Sequence, residues 1–295
     1  MTFSQKIASG SLLVSVVVLA IKYAAYHVTG SVALFSDALE SIINVATALT
    51  ALVAIRYAAR PPDQNHPYGH QKAEYLSAVG VGALILVAGF AILREAYAGF
   101  ITPRPIDAPV LGLAISGVAT TLNAIWSAVL IRQGRRNRSA ALVADGKHLF
   151  ADVVTSAGVI VGLSLVVLTN IGMLDSVIAA LVAVHVLRSG WGVIRESSGG
   201  LLDEAAPTEQ LALIRKALEA NAGGALEVHG LRTRHAGKTT FIDFHLVVPG
   251  EMTVARSHEI CDRLKAALTE ALGEAVVTIH VEPDDKAEHI GALLA

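Results

Sequence analysis

Long apolar stretches separated by short polar connectors make up the first two thirds of the chain. A helix that crosses a bilayer needs about 20 mainly apolar residues. Six stretches meet that length, at residues 7–28, 32–58, 74–100, 109–132, 140–169 and 173–196. Proline and glycine in the connectors mark the helix ends. The pattern therefore predicts six membrane-spanning helices.

Basic residues near the ends of these stretches predict the orientation in the membrane. The connector RQGRRNRS, between the fourth and fifth stretches, contains four arginines. The connector between the second and third has Arg56, Arg60 and Lys72 around it. Because Lys and Arg are enriched in cytosolic connectors, both termini are predicted to be cytosolic. The apolar N-terminal run is longer than the core of a signal peptide, so it is interpreted as the first span.

The pattern changes after residue 203 to that of a small soluble domain. Apolar residues recur at helical spacing in 207–222 and in 253–272. Two alternating stretches flank an Ala-Gly-Lys turn at 236–238, and AVVTIHVEP is typical of a last strand. The order αββαβ predicts a ferredoxin-like or metallochaperone-like α+β domain over 204–295, after a transmembrane domain over 1–203.

Composition supports a membrane protein and excludes some classes of partner. The chain of 295 residues is 53% hydrophobic and only 16% charged, against about a quarter charged in soluble proteins. A net charge of −2 gives no general attraction to nucleic acid. The single cysteine, Cys261, excludes an internal disulfide. The expected location is the inner membrane of a cell, with the lipid bilayer as a partner.

A short motif occurs twice, in the second and fifth apolar stretches. SDALESIINVAT (36–47) and ADGKHLFADVVT (144–155) share the form Asp-x-x-ligand-x-x-x-ligand-Val-x-Thr. Residues four apart lie on one face of a helix, so two such helices packed together would bring four donor groups to one point. These four are Glu40, Asn44, His148 and Asp152. Carboxylate, amide and imidazole groups are ligands of divalent first-row metals, and Asp37 and Asp145, one turn earlier, are expected to line the access route.

An alternative is that these polar side chains pair with one another and hold the bundle together. The repeated spacing favours the metal site, since pairing does not require the same spacing twice. Ionised Glu40 and Asp152 with neutral His148 carry about −2, which neutralises one divalent cation. Without metal, such groups in a medium of low dielectric are expected to take up protons. Metal and protons would then compete for one site, which is the physical basis of exchange.

The six spans, the ADGKHLFADV motif, the HPYGH connector and the αββαβ tail resemble the cation diffusion facilitator family over essentially the whole chain. This resemblance implies export of divalent metals from the cytosol in exchange for protons, by a homodimer. The motif of the second span departs from the family's usual His or Asp followed by Asp, because this chain has Glu40 and Asn44. Zinc is the first expectation for the substrate, and the harder oxygen ligands make manganese, iron, cobalt and nickel alternatives.

The resemblance also implies metal sites outside the membrane. A connector site would use Asp63, His66 and His70. In the tail, a hairpin turning at 236–238 places His229 opposite His245, and the implied dinuclear site, structural or regulatory, consists of His229, His245, His258, His280 and Glu282. His235 is an additional candidate. Lys72 and Asp203 match positions thought to pair across the dimer.

Two other classes of function are weighed against a secondary transporter. An intramembrane metalloenzyme would need a general base, as in His-Glu-x-x-His, and the His258-Glu259 pair has no second histidine. A membrane-anchored metal sensor would have no need of four polar ligands inside the membrane. The sequence thus predicts a transporter and not an enzyme.

Lys22, in the first span, is expected to extend its ammonium group toward the interface.

Overall fold

Six long helices form the first part of the chain in the computed structural model, which describes residues 2–29, 32–101, 110–169 and 173–287. They are α1 Phe3–Thr29, α2 Val32–Ala58, α3 Ala73–Ile101, α4 Val110–Arg136, α5 Ala140–Thr169 and α6 Met173–Leu201. Each coincides with one predicted apolar stretch. Within the described residues, four segments are long and apolar enough to cross a membrane: Phe3–Ala24, Ser41–Ala58, Ala73–Ile101 and Ser176–Leu201.

Helix α5 lies between two apolar clusters of this bundle. One cluster joins α1, α2, α4 and α5 through residues such as Ala8, Ile55, Leu130 and Leu149. The other joins α3, α5 and α6 through Ile85, Ala151 and Val186, among others. Polar side chains on the faces of α5 are therefore enclosed by helices on both sides.

The chain divides into two compact units, Met1–Ser198 and Gly199–Ala295. The second unit contains α7 Thr208–Asn221, β1 Glu227–Ala236, β2 Thr239–Val248, α8 Val254–Leu272, β3 Ala275–Pro283 and a 3₁₀ turn at Asp284–Lys286. The predicted αββαβ order is confirmed. Helix α8 begins at a cap in which the Thr253 hydroxyl accepts the Arg256 N–H, and Gly273, with φ +84°, ends it.

The three strands form a small mixed sheet in the order β1-β2-β3, with β1 antiparallel and β3 parallel to β2. Both helices of the unit pack on one face of this sheet, where Ile214, Leu218, Phe244, Leu246 and Leu264 form a buried core. Because side chains alternate between the two faces of a strand, residues such as His245 and Asp243 lie on the opposite face.

The hairpin pairs His229 with His245 as predicted, but with a shorter turn and a β-bulge that were not predicted. The predicted three-residue turn is wrong, since Ala236 already pairs with Thr239. A β-bulge between His229 and Arg232 adds one residue to β1 and restores the predicted pairing beyond it. Gly230 has φ +65° there, a conformation that glycine adopts without strain.

Candidate metal centres

The motif residues of α5 lie on its buried faces. Asp145, His148 and Asp152 are 0%, 7% and 6% exposed. Within the motif, Gly146 faces α4, and a Cβ atom there would lie 2.8 Å from Cγ1 of Ile131. Glycine at this position therefore permits the close packing of α4 and α5 that encloses the polar groups.

Side chains from α1, α2 and α4 meet at Asp152 of α5. Its Oδ2 accepts a hydrogen bond from Asn123 Nδ2 of α4 at 2.8 Å and one from Asn44 Nδ2 of α2 at 3.3 Å. The ammonium nitrogen of Lys22, on α1, lies 3.7 Å from the same oxygen. All of these side chains are buried. One carboxylate oxygen thus has three polar neighbours from three helices.

Other buried atoms of this cluster have no hydrogen-bond partner among the described residues. They are Asn44 Oδ1, Asp152 Oδ1 and both ring nitrogens of His148. Buried polar atoms are nearly always hydrogen-bonded, so this cluster has acceptor atoms available for a cation. The structure brings Asn44 and Asp152 together, with His148 one turn earlier on α5. Glu40 and Asp37 lie on α2, but their side chains are outside the described part of the structure.

Asp145 belongs to a second, smaller polar cluster. The Ser11 hydroxyl of α1 donates to Asp145 Oδ2 at 2.6 Å, and both side chains are buried. Asp145 precedes Asp152 by seven residues, which is about 10 Å along a helix. The interior of the bundle therefore has polar groups at two levels, and the access role of Asp145 stays a prediction.

Asp63, His66 and His70 form a group in the connector. Each offers one metal-ligand atom, and these three atoms lie within 4.8 Å of one another. Asp63 Oδ1 lies 3.4 Å from His66 Nδ1, and Asp63 Oδ2 lies 3.2 Å from His70 Nε2. Hydrogen bonds from the backbone N–H groups of His66 and Asn65 hold the pKa of Asp63 below its usual value. The edge of the Tyr57 ring packs against His70, with ring centroids 4.8 Å apart, and helps to fix this imidazole.

In the tail, His229, His245 and Glu282 form a second such group on the sheet face opposite the helices, with donor atoms within 4.8 Å. Glu282 Oε1 lies 3.1 Å from His245 Nδ1, and Glu282 Oε2 lies 3.5 Å from His229 Nε2. On the other side of its ring, His229 Nδ1 lies 2.9 Å from Oε1 of buried Glu227. A carboxylate on one imidazole nitrogen is a common way to orient the other nitrogen toward a metal.

The remaining tail histidines differ in their relation to this group. His280 adjoins it, because its Nε2 lies 3.4 Å from Glu282 Oε1 and its ring centroid lies 5.1 Å from that of His245. His258 is exposed on α8, 3.5 Å from Asp262 Oδ2, although it and Glu282 line one cavity of about 390 Å³. His235 Nδ1 lies 3.2 Å from the Thr240 hydroxyl, near the hairpin turn. Helix α8 packs on the other face of the sheet, which explains the separation of His258.

Asp203 and Lys72, the two residues expected to pair across a dimer, belong to different units of the chain. Asp203 Oδ1 lies 3.4 Å from Arg234 Nη1 within the same chain, and the Arg234 guanidinium stacks on the Phe241 ring at 4.0 Å. Lys72 comes directly before α3. Their pairing between subunits stays a prediction.

Sequence reasoning missed three of the residues at these sites. Lys22 was expected to reach the membrane interface and is instead buried beside Asp152. Its signal was present, because it continues a stripe of small and polar residues at Ser4, Ala8, Ser11 and Ser15. Asn123 also had a signal, since Ser116, Thr120 and Ser127 recur with it at helical spacing in the fourth span, whereas no spacing pattern marked Glu227.

These features define a multi-pass helical membrane protein with amide, imidazole and carboxylate side chains buried in its bundle and a small α+β domain. The model of the cation efflux transmembrane domain matches residues 10–202, and that of the cytoplasmic domain of cation efflux proteins, named ZT_dimer, matches residues 206–284. The chain therefore belongs to the cation efflux, or cation diffusion facilitator, family. It is a cation efflux transporter and not an enzyme, and its tail is a dimerisation domain.

The chain is also similar to individual known proteins. The chain is 42% identical over 263 residues to the uncharacterized transporter sll1263 of Synechocystis, covering 89% of this chain and 85% of the relative. It is 30% identical over 284 residues to the cation-efflux pump FieF of Shewanella oneidensis, covering 95% of each. A solved structure of CzrB in its zinc form is 44% identical, covering 30% of this chain and 99% of that one, with a TM-score of 0.28.

Proposed function

We propose that this transporter exports divalent first-row transition-metal cations from the cytosol in exchange for protons. It acts as a homodimer in the inner membrane, with six spans and both termini in the cytosol. The transport site consists of Glu40, Asn44, His148 and Asp152. Zinc is the first candidate for the substrate, with manganese, iron, cobalt and nickel as alternatives.

The observation that supports this site most directly is its set of buried polar atoms without hydrogen-bond partners, which includes two oxygens and, on neutral His148, one acceptor nitrogen. Asn44 Oδ1, Asp152 Oδ1 and the ring nitrogens of His148 are buried and lack hydrogen-bond partners among the described residues. Oxygen and imidazole nitrogen are the donor types that divalent first-row metals bind. A structural ion-pair network would be expected to satisfy these atoms, whereas a site that receives a cation must leave them available.

The ligand types also bear on which metal is exported. Asn44 supplies a neutral amide oxygen in place of a second carboxylate on α2. Ionised Glu40 and Asp152 balance the charge of one divalent ion when the Lys22 ammonium group, 3.7 Å from Asp152, is not counted. Three oxygen-bearing ligands and one imidazole form a harder site than one rich in histidine, and harder sites accept manganese and iron more readily.

Exchange follows if the bundle opens alternately to the two sides of the membrane. Facing the cytosol, the site would receive the metal past Asp145, where Ser11 holds the carboxylate. Facing outward, protons from the opposite side would compete with the metal for Asp152 and Glu40. Each ligand group that takes up a proton ceases to bind the metal, which drives release and lets the site return without it.

The connector and tail groups are suited to resident metal ions rather than to transport. Each brings imidazole nitrogens and a carboxylate oxygen within 4.8 Å of one another, the spacing at which such atoms can share one ion. An ion bound by Asp63, His66 and His70 would fix the conformation of the connector. An ion bound by His229, His245 and Glu282 would join β1, β2 and β3 of the dimerisation domain. His280 and His258 complete the proposed dinuclear site of the tail.

Purified protein in liposomes with a pH gradient tests the transport function. Flux would be measured against zinc, manganese, iron(II), cobalt and nickel, with a pH-sensitive dye inside the liposomes. We expect flux of at least one metal together with proton movement in the opposite direction. Asp152→Ala and Glu40→Ala should each abolish it, while Glu219→Gln, a change of an exposed carboxylate on α7, should retain it.

Two results would contradict the proposal in different ways. Flux that survives both Asp152→Ala and Glu40→Ala would show that the metal binds elsewhere. Metal flux without any proton movement would reject the exchange mechanism but leave the transport site intact.

A further inference from the structure

Lys22 places a positive charge at the proposed transport site. Its side chain is 1% exposed, and its Nζ lies 3.7 Å from Asp152 Oδ2. It lies seven residues before the end of α1, which is about 10 Å along the helix. A lysine near the end of a span normally extends toward water. This one points into the bundle, to a group expected to bind the substrate.

The geometry of α1 explains the direction of this side chain. Buried residues of the helix recur at Ser4, Ala8, Ser11, Ser15 and Val18, three or four apart, and Lys22 continues the series. The same stripe contacts α5 twice, through Ser11 with Asp145 and through Lys22 with Asp152. On α1, Ser11 and Lys22 are eleven residues apart, whereas on α5 their partners Asp145 and Asp152 are only seven residues apart. The difference, about 6 Å along a helix, is the reach of a lysine side chain directed toward the helix N-terminus.

The three neighbours of Asp152 Oδ2 differ in charge. Asn44 and Asn123 are neutral donors, and a metal ion on the carboxylate would not repel them. Lys22 is a cation, so it stabilises Asp152 when no metal is present and opposes any second cation there. A divalent ion can be bound firmly only if the ammonium group moves away from the carboxylate.

We infer that Lys22 is a tethered counter-cation, which holds ionised Asp152 in the metal-free site once its proton has left and which the substrate must displace. This inference rests on the proposed function. Through this competition Lys22 lowers the affinity of the site, so that the metal can leave within the transport cycle. It is a positioning residue and not a ligand, because an ammonium group has no lone pair to donate.

Zinc binding to the full-length protein tests this role. The measurements would be made in a background with His70→Ala and His245→Ala, so that the intramembrane site dominates. Lys22→Met, which keeps the length of the side chain without its charge, should bind zinc about tenfold more tightly, within the range of couplings between sites. Its maximal zinc flux should fall, because release becomes slower. Lys22→Arg, which retains the charge, should bind within about threefold of the background.

A second variant separates this competition from a purely structural role. In Asp152→Asn the carboxylate charge is absent, so adding Lys22→Met should no longer raise the zinc affinity. Lys22→Gln, a neutral polar residue, provides the same comparison if the methionine variant does not fold. An affinity that stays within threefold of the background, or that falls, in both neutral variants would overturn the inference. A chain that neither binds nor transports any of the tested metals would overturn the proposed function, and this inference with it.

Discussion

Replacement of Asn123 by leucine isolates the contribution of a residue that contacts Asp152 without being a ligand. Asn123 Nδ2 donates to Asp152 Oδ2 at 2.8 Å, and the side chain is buried on α4. Leucine has the same branching and the same number of side-chain heavy atoms, so Asn123→Leu removes the donor without opening a cavity. The carboxylate of Asp152 would then lose the shorter of its two amide hydrogen bonds, and its orientation would be less firmly fixed.

The expected magnitude follows from the hydrogen bond that is lost. A hydrogen bond to a charged group contributes about 1.5–3 kcal/mol, which corresponds to about 10- to 150-fold in an equilibrium constant. Two neighbours of Asp152 Oδ2 remain in the variant, Asn44 and Lys22. We therefore expect the lower part of this range, a loss of about tenfold in metal affinity, as is common for residues that orient metal ligands.

Equilibrium binding of zinc and cobalt to the full-length protein provides the assay, with flux in liposomes measured alongside. The matched control is Ser127→Ala, because Ser127 is buried one turn further along α4 and its hydroxyl bonds to the Ala124 carbonyl of its own helix. The control should bind metal within twofold of the unaltered chain. An Asn123→Leu protein with unchanged affinity would refute the idea that this hydrogen bond orients Asp152.

Three further predictions concern the tail and the helix packing. Glu227→Gln should weaken metal binding by the tail about 10- to 100-fold, whereas Glu251→Gln, in the exposed β2–α8 turn, should not, as measured by metal titration. Gly82→Val should lower the thermal stability of the protein, because a Cβ there would lie 2.7 Å from a neighbouring isoleucine and 3.2 Å from a backbone oxygen. Gly80→Val, with nothing within 4 Å, should have little effect. Gly230→Val should also weaken metal binding by the tail, since its φ of +65° strains a branched residue and disturbs the bulge that sets the histidine register.

Local sequence patterns predicted much of the fold. The six helices lie where the apolar stretches are, and α7, β1, β2, α8 and β3 follow in the predicted order. These features depend on periodicity and length, which are properties of neighbouring residues. The motif spacing likewise placed His148 and Asp152 on the buried faces of α5, because four residues correspond to about one helical turn.

Features that depend on contacts between distant segments could not be predicted in this way. The contact between Asn123 and Asp152 joins α4 to α5, and nothing in the sequence near Asn123 indicates a partner. The bulge at Gly230 changes the pairing register by one residue, and the predicted three-residue turn happened to compensate for it. The direction of Lys22 depends on the buried helix face that it shares with Ser11 and not on its distance from the helix end.

The two carboxylate oxygens of Asp152 have different surroundings, and this difference bears on how a metal could be bound. Oδ2 has Asn123, Asn44 and Lys22 as neighbours, whereas Oδ1 has no hydrogen-bond partner among the described residues. A metal that bound both oxygens would have to break all three contacts, whereas a metal on Oδ1 alone leaves the two amide contacts in place. At the proposed transport site, this arrangement favours coordination through one oxygen, in which the asparagines keep the carboxylate aligned while only the lysine must withdraw. A site built in this way can accept and release a cation without rebuilding its own hydrogen bonds in each cycle.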